Sequence, residues 1–158
     1  MLDEYLQEIL ATLRPKLKNT RHKVTIHCSV DIEINSYPGA LSQVLTNLIM
    51  NSLLHGFEDM DEGCIDIEVS DANDKAQILY IDNGKGLSSE AKIKIFEPFY
   101  TTKRGTGGTG LGMHLVYNLV AQKLGGHISV QETNKGCAFL IEIAKEVEEL
   151  PHENMHAE

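Results

Sequence analysis

Ile78-Leu79-Tyr80-Ile81-Asp82-Asn83-Gly84-Lys85-Gly86 carries four consecutive apolar side chains into a carboxylate and then into a turn holding two glycines. An apolar run bounded by turn residues reads as a buried strand, here 76–82, ending in Asp82. A second strand-like run at 64–71 precedes it, and Asp71-Ala72-Asn73-Asp74 between them is hairpin-turn material.

Working outward from this pair, residues 40–56 follow Pro38-Gly39 and place Leu41, Val44, Leu45 and Leu48 on one helical stripe, with Gly56 closing the helix. Residues 2–17 put Leu2, Tyr5, Leu6, Ile9, Leu10, Leu13 and Leu17 at spacings of three and four, an amphipathic helix. Val24, Ile26, Cys28, Val30, Ile32 and Ile34 suggest a short strand or hairpin over 23–35. On the C-terminal side come a short helix at 88–95, a long aperiodic loop at 96–109 and a third substantial helix at 111–124. Gly125-Gly126 end that helix, and strands at 127–132 and 137–144 follow. From Lys145 the tail is acidic and broken by a proline, which reads as frayed. Helices and strands mix without regular βαβ alternation. The pattern favours helices layered on one face of a mixed sheet over a doubly wound parallel sheet.

The chain has 158 residues, enough for one domain that buries about 70% of its unfolded surface. Fourteen Lys and Arg stand against 23 Asp and Glu, a formal charge of −9. That balance argues against nucleic acid and anionic membranes as partners. No apolar run approaches the roughly 20 residues of a bilayer span, so a soluble chain is expected, cytoplasmic in place even within a membrane-anchored parent protein. Cys28, Cys64 and Cys137 form no C-x-x-C pair, which speaks against a zinc site or a disulfide framework.

Three features point to chemistry. A turn alone accounts for Asp82-x-Gly84-x-Gly86. The other reading has the buried carboxylate accept a hydrogen bond from an adenine amino group, while the glycines let backbone approach the base. On the helix over 40–56, Gln43, Asn47, Asn51 and His55 recur at i+4 on a stripe separate from the leucines. A solvated face is one reading. A Mg²⁺ and phosphate site is the other, because a hard cation accepts a neutral amide oxygen and takes its remaining ligands from water and phosphate. Finally, Gly105-Thr106-Gly107-Gly108-Thr109-Gly110-Leu111-Gly112 runs into a helix start just after Lys103-Arg104. A surface loop explains the glycines, but a phosphate cradle also explains their place at a helix N-terminus. No P-loop pattern is present. Gly105-x-Gly107-x-x-Gly110 matches a dinucleotide fingerprint, with Glu132 about 20 residues on, but no strand leads directly into it.

Together these elements resemble the ATP-binding catalytic domain of bacterial sensor histidine kinases, over about residues 1–145. The N-box resembles Asn47 to Gly56, the first glycine box Asp82 to Gly86, the F-box Ile95 to Lys103, and the second glycine box Gly108 to Gly112. The resemblance implies an α/β (α+β) two-layer sandwich, three helices on one face of a mixed sheet of about five strands, with ATP under a lid loop at about 88–109. It implies that Asn51 holds Mg²⁺, that Asn47 and His55 line the phosphates, and that Asp82 binds adenine. It further implies that Gly84, Gly86, Leu87, Phe99, Thr101 and Thr102 line the nucleotide. Lys103 with Gly107, Gly108, Thr109, Gly110, Leu111 and Gly112 would close over the triphosphate. Asn47, Asn51, His55 and Lys103 are the expected catalytic set. The γ-phosphoryl group would pass to a histidine on a separate dimerisation helical domain of the parent kinase, then to a response-regulator aspartate.

Two departures stand out. The family's threonine near the start of the last strand is replaced within Gly136-Cys137-Ala138-Phe139, and no histidine lies in a phosphoacceptor-like helix. Residues 1–17 are therefore expected to be the end of a connection to an acceptor domain, and the chain an excised catalytic domain. Related ATPases of this sandwich activate water with a glutamate four residues before the metal asparagine. Here that position is Asn47, which is no base at neutral pH. A serine kinase of the anti-sigma-factor type, an ATPase of the same fold and a non-catalytic nucleotide sensor are the alternatives.

Overall fold

In the computed structural model, which describes residues 1–100 and 111–147, β3 (Lys75–Asp82) is the central strand. Its alternate residues Ala76, Ile78, Tyr80 and Asp82 are buried, so one face meets the core and the other faces outward. β2 (Cys64–Ala72) pairs with it antiparallel across a turn in which Asn73 takes a φ of 65°, a left-handed conformation that asparagine tolerates. On its other side β5 (Cys137–Ala144) pairs antiparallel, setting Ile78 opposite Ile141, Tyr80 opposite Phe139 and Asp82 opposite Cys137. β1 (Lys23–Cys28) joins β2 in parallel, and β4 (His127–Gln131) closes the other edge. The sheet order is β1-β2-β3-β5-β4, a mixed five-stranded sheet.

α1 (Leu2–Leu17), α2 (Pro38–Asn51) and α4 (Gly112–Gln122) cover one face, as expected from the apolar stripes. Leu6, Leu41, Leu45, Leu48, Val116 and Val120 meet Ile65, Ile67, Ile78 and Phe139 in one continuous core. Truncating any of these leucines to alanine would cost about 2–5 kcal/mol. α3 (Ser89–Lys94) is short and is capped by the Ser88 hydroxyl, which accepts the Ala91 N–H at 3.0 Å.

The structure adjusts several expectations. The strand foreseen over 23–35 stops at Cys28, and farther along only Asn35 pairs, in a single parallel bridge with Glu146. Residues 145–147, taken from the sequence as the start of a frayed tail, are held by bonds from Asn35 N–H to Lys145 O and from Val147 N–H to Asn35 O. The remainder of that tail lies outside the described residues. Residues 1–17 are more than a connection. Leu2, Leu6, Ile9 and Leu13 are buried, so α1 is a member of the helical layer. The helix read over 40–56 also changes character: α2 ends at Asn51 and Ser52–Gly56 form a π-helical turn, closed by the Phe57 N–H on the Ser52 carbonyl five residues back.

Candidate functional site

Asp82 ends β3 on its buried face, with only 4% of its surface exposed. A carboxylate there needs donors on its lone pairs, and the chain supplies three. The N–H groups of Gly84 and Cys137 reach Oδ1 at 3.0 and 3.1 Å, and the Ser52 hydroxyl donates to Oδ2 at 2.7 Å. Each donor has its own structural cause. Gly84 belongs to the turn after β3, Cys137 is the register partner of Asp82 on β5, and Ser52 opens the π-helical turn. Ser52 Oγ lies 2.6 Å from the Tyr80 hydroxyl, which also bonds the Leu48 carbonyl at 2.9 Å. Burial pushes the Tyr80 phenol well above its ordinary pKa, with Asp82 and Cys137 adding to the shift against the Ser52 hydrogen bond. The Cys137 thiol is pushed up to about 12, first by burial and then by the Asp82 charge.

Glycine makes this approach possible. A β-carbon on Gly136, whose φ is +80°, would stand 1.9 Å from the Asp82 carbonyl oxygen. One on Gly56 would meet Asp82 Oδ2 at 3.1 Å, so the wall beside that oxygen is bare backbone. Gly86 takes a φ of +81° against Gly136. Leu87, next in the chain, packs against the core.

The α2 stripe occupies the neighbouring surface. Gln43 Nε2 donates to Asn47 Oδ1 at 3.2 Å, and Asn47 Nδ2 donates to the Gly112 carbonyl at 3.4 Å, tying α2 to the start of α4. Asn51 ends α2 half-buried, and His55 lies half-buried on the π-helical turn. An amide oxygen on a partly solvated helix end suits a hard cation that keeps most of its water. Among the described residues there is no group of three or more His, Cys, Asp and Glu able to hold a metal.

The segment leading to 101–110 is anchored at its start. His114 Nδ1 lies 3.1 Å from the Phe96 carbonyl, and the Phe96 ring packs on Tyr117 and Phe139. Phe99 has a φ of 68° and is 58% exposed, and Leu111 is exposed at the start of α4. Thr101, Thr102, Lys103, Gly107, Gly108, Thr109 and Gly110 lie outside the described residues.

The structure therefore brings Asp82, Gly84 and Gly86 together at one end of the π-helical turn, with Asn51 and His55 leading up to it. The sequence reading did not single out Ser52, Tyr80 or Gly136. Tyr80 carried a signal, a hydroxyl within the inward set of β3. Ser52 and Gly136 gave none without knowledge of which residues face Asp82.

Comparison with known proteins agrees with this geometry. The profile of the histidine kinase-, DNA gyrase B-, and HSP90-like ATPase family matches residues 37–147. Sensor histidine kinase ZraS of Escherichia coli (strain K12) is 36% identical over 110 residues, 69% of this chain and 22% of that protein. The chain thus spans about a fifth of that relative's length. Among solved structures, the catalytic domain of histidine kinase ThkA superposes with a TM-score of 0.80 at 28% identity, covering 92% of this chain and 93% of that one. ThkA in complex with the response regulator protein TrrA gives a TM-score of 0.75 at 26% identity, covering 91% and 40% of the two chains. Among the described residues no helix is long and apolar enough to cross a membrane. With the mixed sheet, the one-sided helical layer and the motif order all in agreement, the chain belongs to the histidine kinase-, DNA gyrase B- and HSP90-like ATPase family, as a histidine kinase catalytic domain.

Proposed function

We propose that residues 1–147 bind Mg-ATP between Asp82 and the Asn47–Asn51–His55 surface, and donate its γ-phosphoryl group to a histidine on a separate helical domain of a parent sensor kinase. The phosphoryl group then goes to a response-regulator aspartate. The observation that carries this reading is the Asp82 carboxylate, which has three of its four acceptor positions filled by the described residues. The fourth, on Oδ2, suits a donor such as the adenine amino group and disfavours the keto oxygen of guanine.

Asn51 would hold Mg²⁺, which would neutralise charge on the phosphates when bound. His55 would face the phosphates, and Lys103 with Gly107 to Gly112 would supply a cation and backbone N–H groups to them. In the transfer, the bond from the γ-phosphorus to the β–γ bridging oxygen breaks as one forms to the acceptor imidazole nitrogen, leaving ADP. Asn47 stands where related ATPases carry a base, and both ends of its amide are engaged by Gln43 and Gly112. Activation of water would then be weak, and catalysis would rest on positioning and charge neutralisation. ThkA, crystallised with its response regulator, supports the onward step by likeness. A formal charge of −9 suits the domain to protein partners and not to nucleic acid.

A thermal-shift series tests the ligand. Mg-ATP at a hundredfold excess over Kd should stabilise the fold by about 2.7 kcal/mol, with Mg-GTP and NAD giving far less. Stabilisation by NAD instead of ATP would overturn the reading.

A further inference from the structure

The Asp82 carboxylate is held from below by a polar chain that runs through the core, and the protons in it can be counted. Asp82 only accepts, so the 2.7 Å contact with Ser52 takes the Ser52 proton. Ser52 Oγ must then receive a proton across its 2.6 Å contact with Tyr80. The phenol, kept protonated by burial, has one proton for two acceptors, the Ser52 oxygen at 2.6 Å and the Leu48 carbonyl at 2.9 Å, and shares it between them. Ser52 donates to Asp82, and the Tyr80 hydroxyl ties the Ser52 oxygen to the Leu48 carbonyl.

On the Oδ1 side the two backbone N–H groups fix one oxygen but leave the carboxylate able to swing about it. Among the described residues Ser52 is the donor to Oδ2, the oxygen that the Gly56 backbone borders. The direction of the remaining Oδ2 lone pair therefore depends on the Ser52 hydroxyl.

We infer that Ser52, held in place by Tyr80, is a positioning residue that aims the remaining acceptor of Asp82 at the 6-position of the purine and so sets discrimination between an amino and a keto group there. The inference rests on the reading of Asp82 as the base-recognising residue and adds the residues that aim it. The π-helical turn takes part as well, because it begins at Ser52 and leads to the Gly56 backbone on the other side of Oδ2.

The test compares affinities for ATP and inosine triphosphate, which carry an amino and a keto group at the 6-position, in the intact chain and in its Ser52→Ala, Tyr80→Phe and Asp82→Asn variants. A general loosening of the fold weakens both nucleotides alike and leaves their ratio unchanged. Loss of aim lowers the ratio. Ser52→Ala should reduce it at least tenfold, Tyr80→Phe should reduce it less, and Ser52→Ala added to Asp82→Asn should change it no further. An unchanged ratio in Ser52→Ala, alongside a collapsed ratio in Asp82→Asn, would overturn the positioning role while leaving Asp82 as the base reader. An unchanged ratio in Asp82→Asn would overturn the underlying reading and this inference with it. If Ser52→Ala does not fold, Tyr80→Phe, which removes one oxygen and keeps the ring, decides by the same ratio.

Discussion

Gly84 lies so close to Gly56 that a β-carbon on it would stand 2.3 Å from the Gly56 carbonyl oxygen. The same oxygen accepts the Lys85 N–H at 2.9 Å, and Lys85 Nζ reaches Glu58 at 2.9 Å. The end of the π-helical turn and the loop after β3 are thereby joined backbone to backbone, directly over Asp82.

Gly84→Ala should break that joint. The backbone oxygen cannot yield as a flexible side chain would, so a loss of about 1–3 kcal/mol is expected from overpacking, together with at least tenfold weaker ATP binding. Gly39→Ala is the control, since nothing lies within 4 Å of its added carbon. Urea denaturation and ATP titration of both variants check this, and equal effects in the two would contradict it.

Asp82→Asn should weaken ATP by about 1–3 kcal/mol, the scale of a buried charged hydrogen bond, and GTP far less. The new amide presents hydrogens where an amino group has to donate. Isothermal titration with both nucleotides decides it, and unchanged ATP affinity would remove Asp82 from the site.

Asn51→Ala should leave stability nearly unchanged, because the residue is only half-buried and lies outside the core cluster. Metal-dependent tightening of ATP should vanish. ATP affinity measured with and without Mg²⁺ gives the answer, and a surviving Mg²⁺ effect would reassign the metal.

Alkaline pH should destabilise the fold. The Cys137 thiol has its pKa raised from 9.0 to about 12 in the folded chain, and the Tyr80 phenol is also raised. Folded protein therefore holds these protons after the unfolded chain has released them. Their contribution is complete below about pH 9 and is lost as pH rises toward 12. Melting temperature followed over that window should fall less steeply in Cys137→Ala. At pH 8 iodoacetamide should modify exposed Cys64 well before Cys137.

Incubated with labelled ATP and Mg²⁺, the chain by itself should bind nucleotide without gaining acid-labile phosphate. His22 stacks on Phe57, His27 pairs with Asp66 at 2.9 Å, and His114 is held by Phe96 and Asn118. His55 sits on the π-helical turn beside the proposed phosphate surface, where an in-line approach behind the γ-phosphorus is hard to reach. Adding a histidine-bearing helical domain in trans should give slow labelling of that partner. Stoichiometric phosphohistidine on this chain would overturn the assignment of the acceptor elsewhere.

Residues whose spacing records burial were legible in the sequence. The leucine stripe of α2, the alternation in β3 and the glycines around Asp82 placed the sheet, the helical layer and the carboxylate. The π-helical turn was not legible, because Ser52 to Gly56 continue the same i+4 pattern and only the tertiary contacts of Ser52 and Gly56 distinguish it from more α-helix. The role of Cys137 was half-visible. Its side chain replaces a family threonine, but its contribution to Asp82 is a backbone N–H that any residue with that register would provide. The strand extent at 23–35 failed because alternation continues past Cys28, whereas β1 leaves its partner there, opposite Val69, although β2 itself runs on to Ala72.

The bond from the Cys137 N–H to Asp82 spans 55 residues of chain. During synthesis from the N-terminus, Asp82, Ser52 and Gly84 leave the ribosome well before Gly136 and Cys137 do. A nascent chain at that stage can fold helices and the local β2–β3 hairpin, but its carboxylate lacks one backbone donor and the strand that backs it. Competence for nucleotide then arises only with the docking of β5, so a truncated product ending before residue 137 would not sequester ATP.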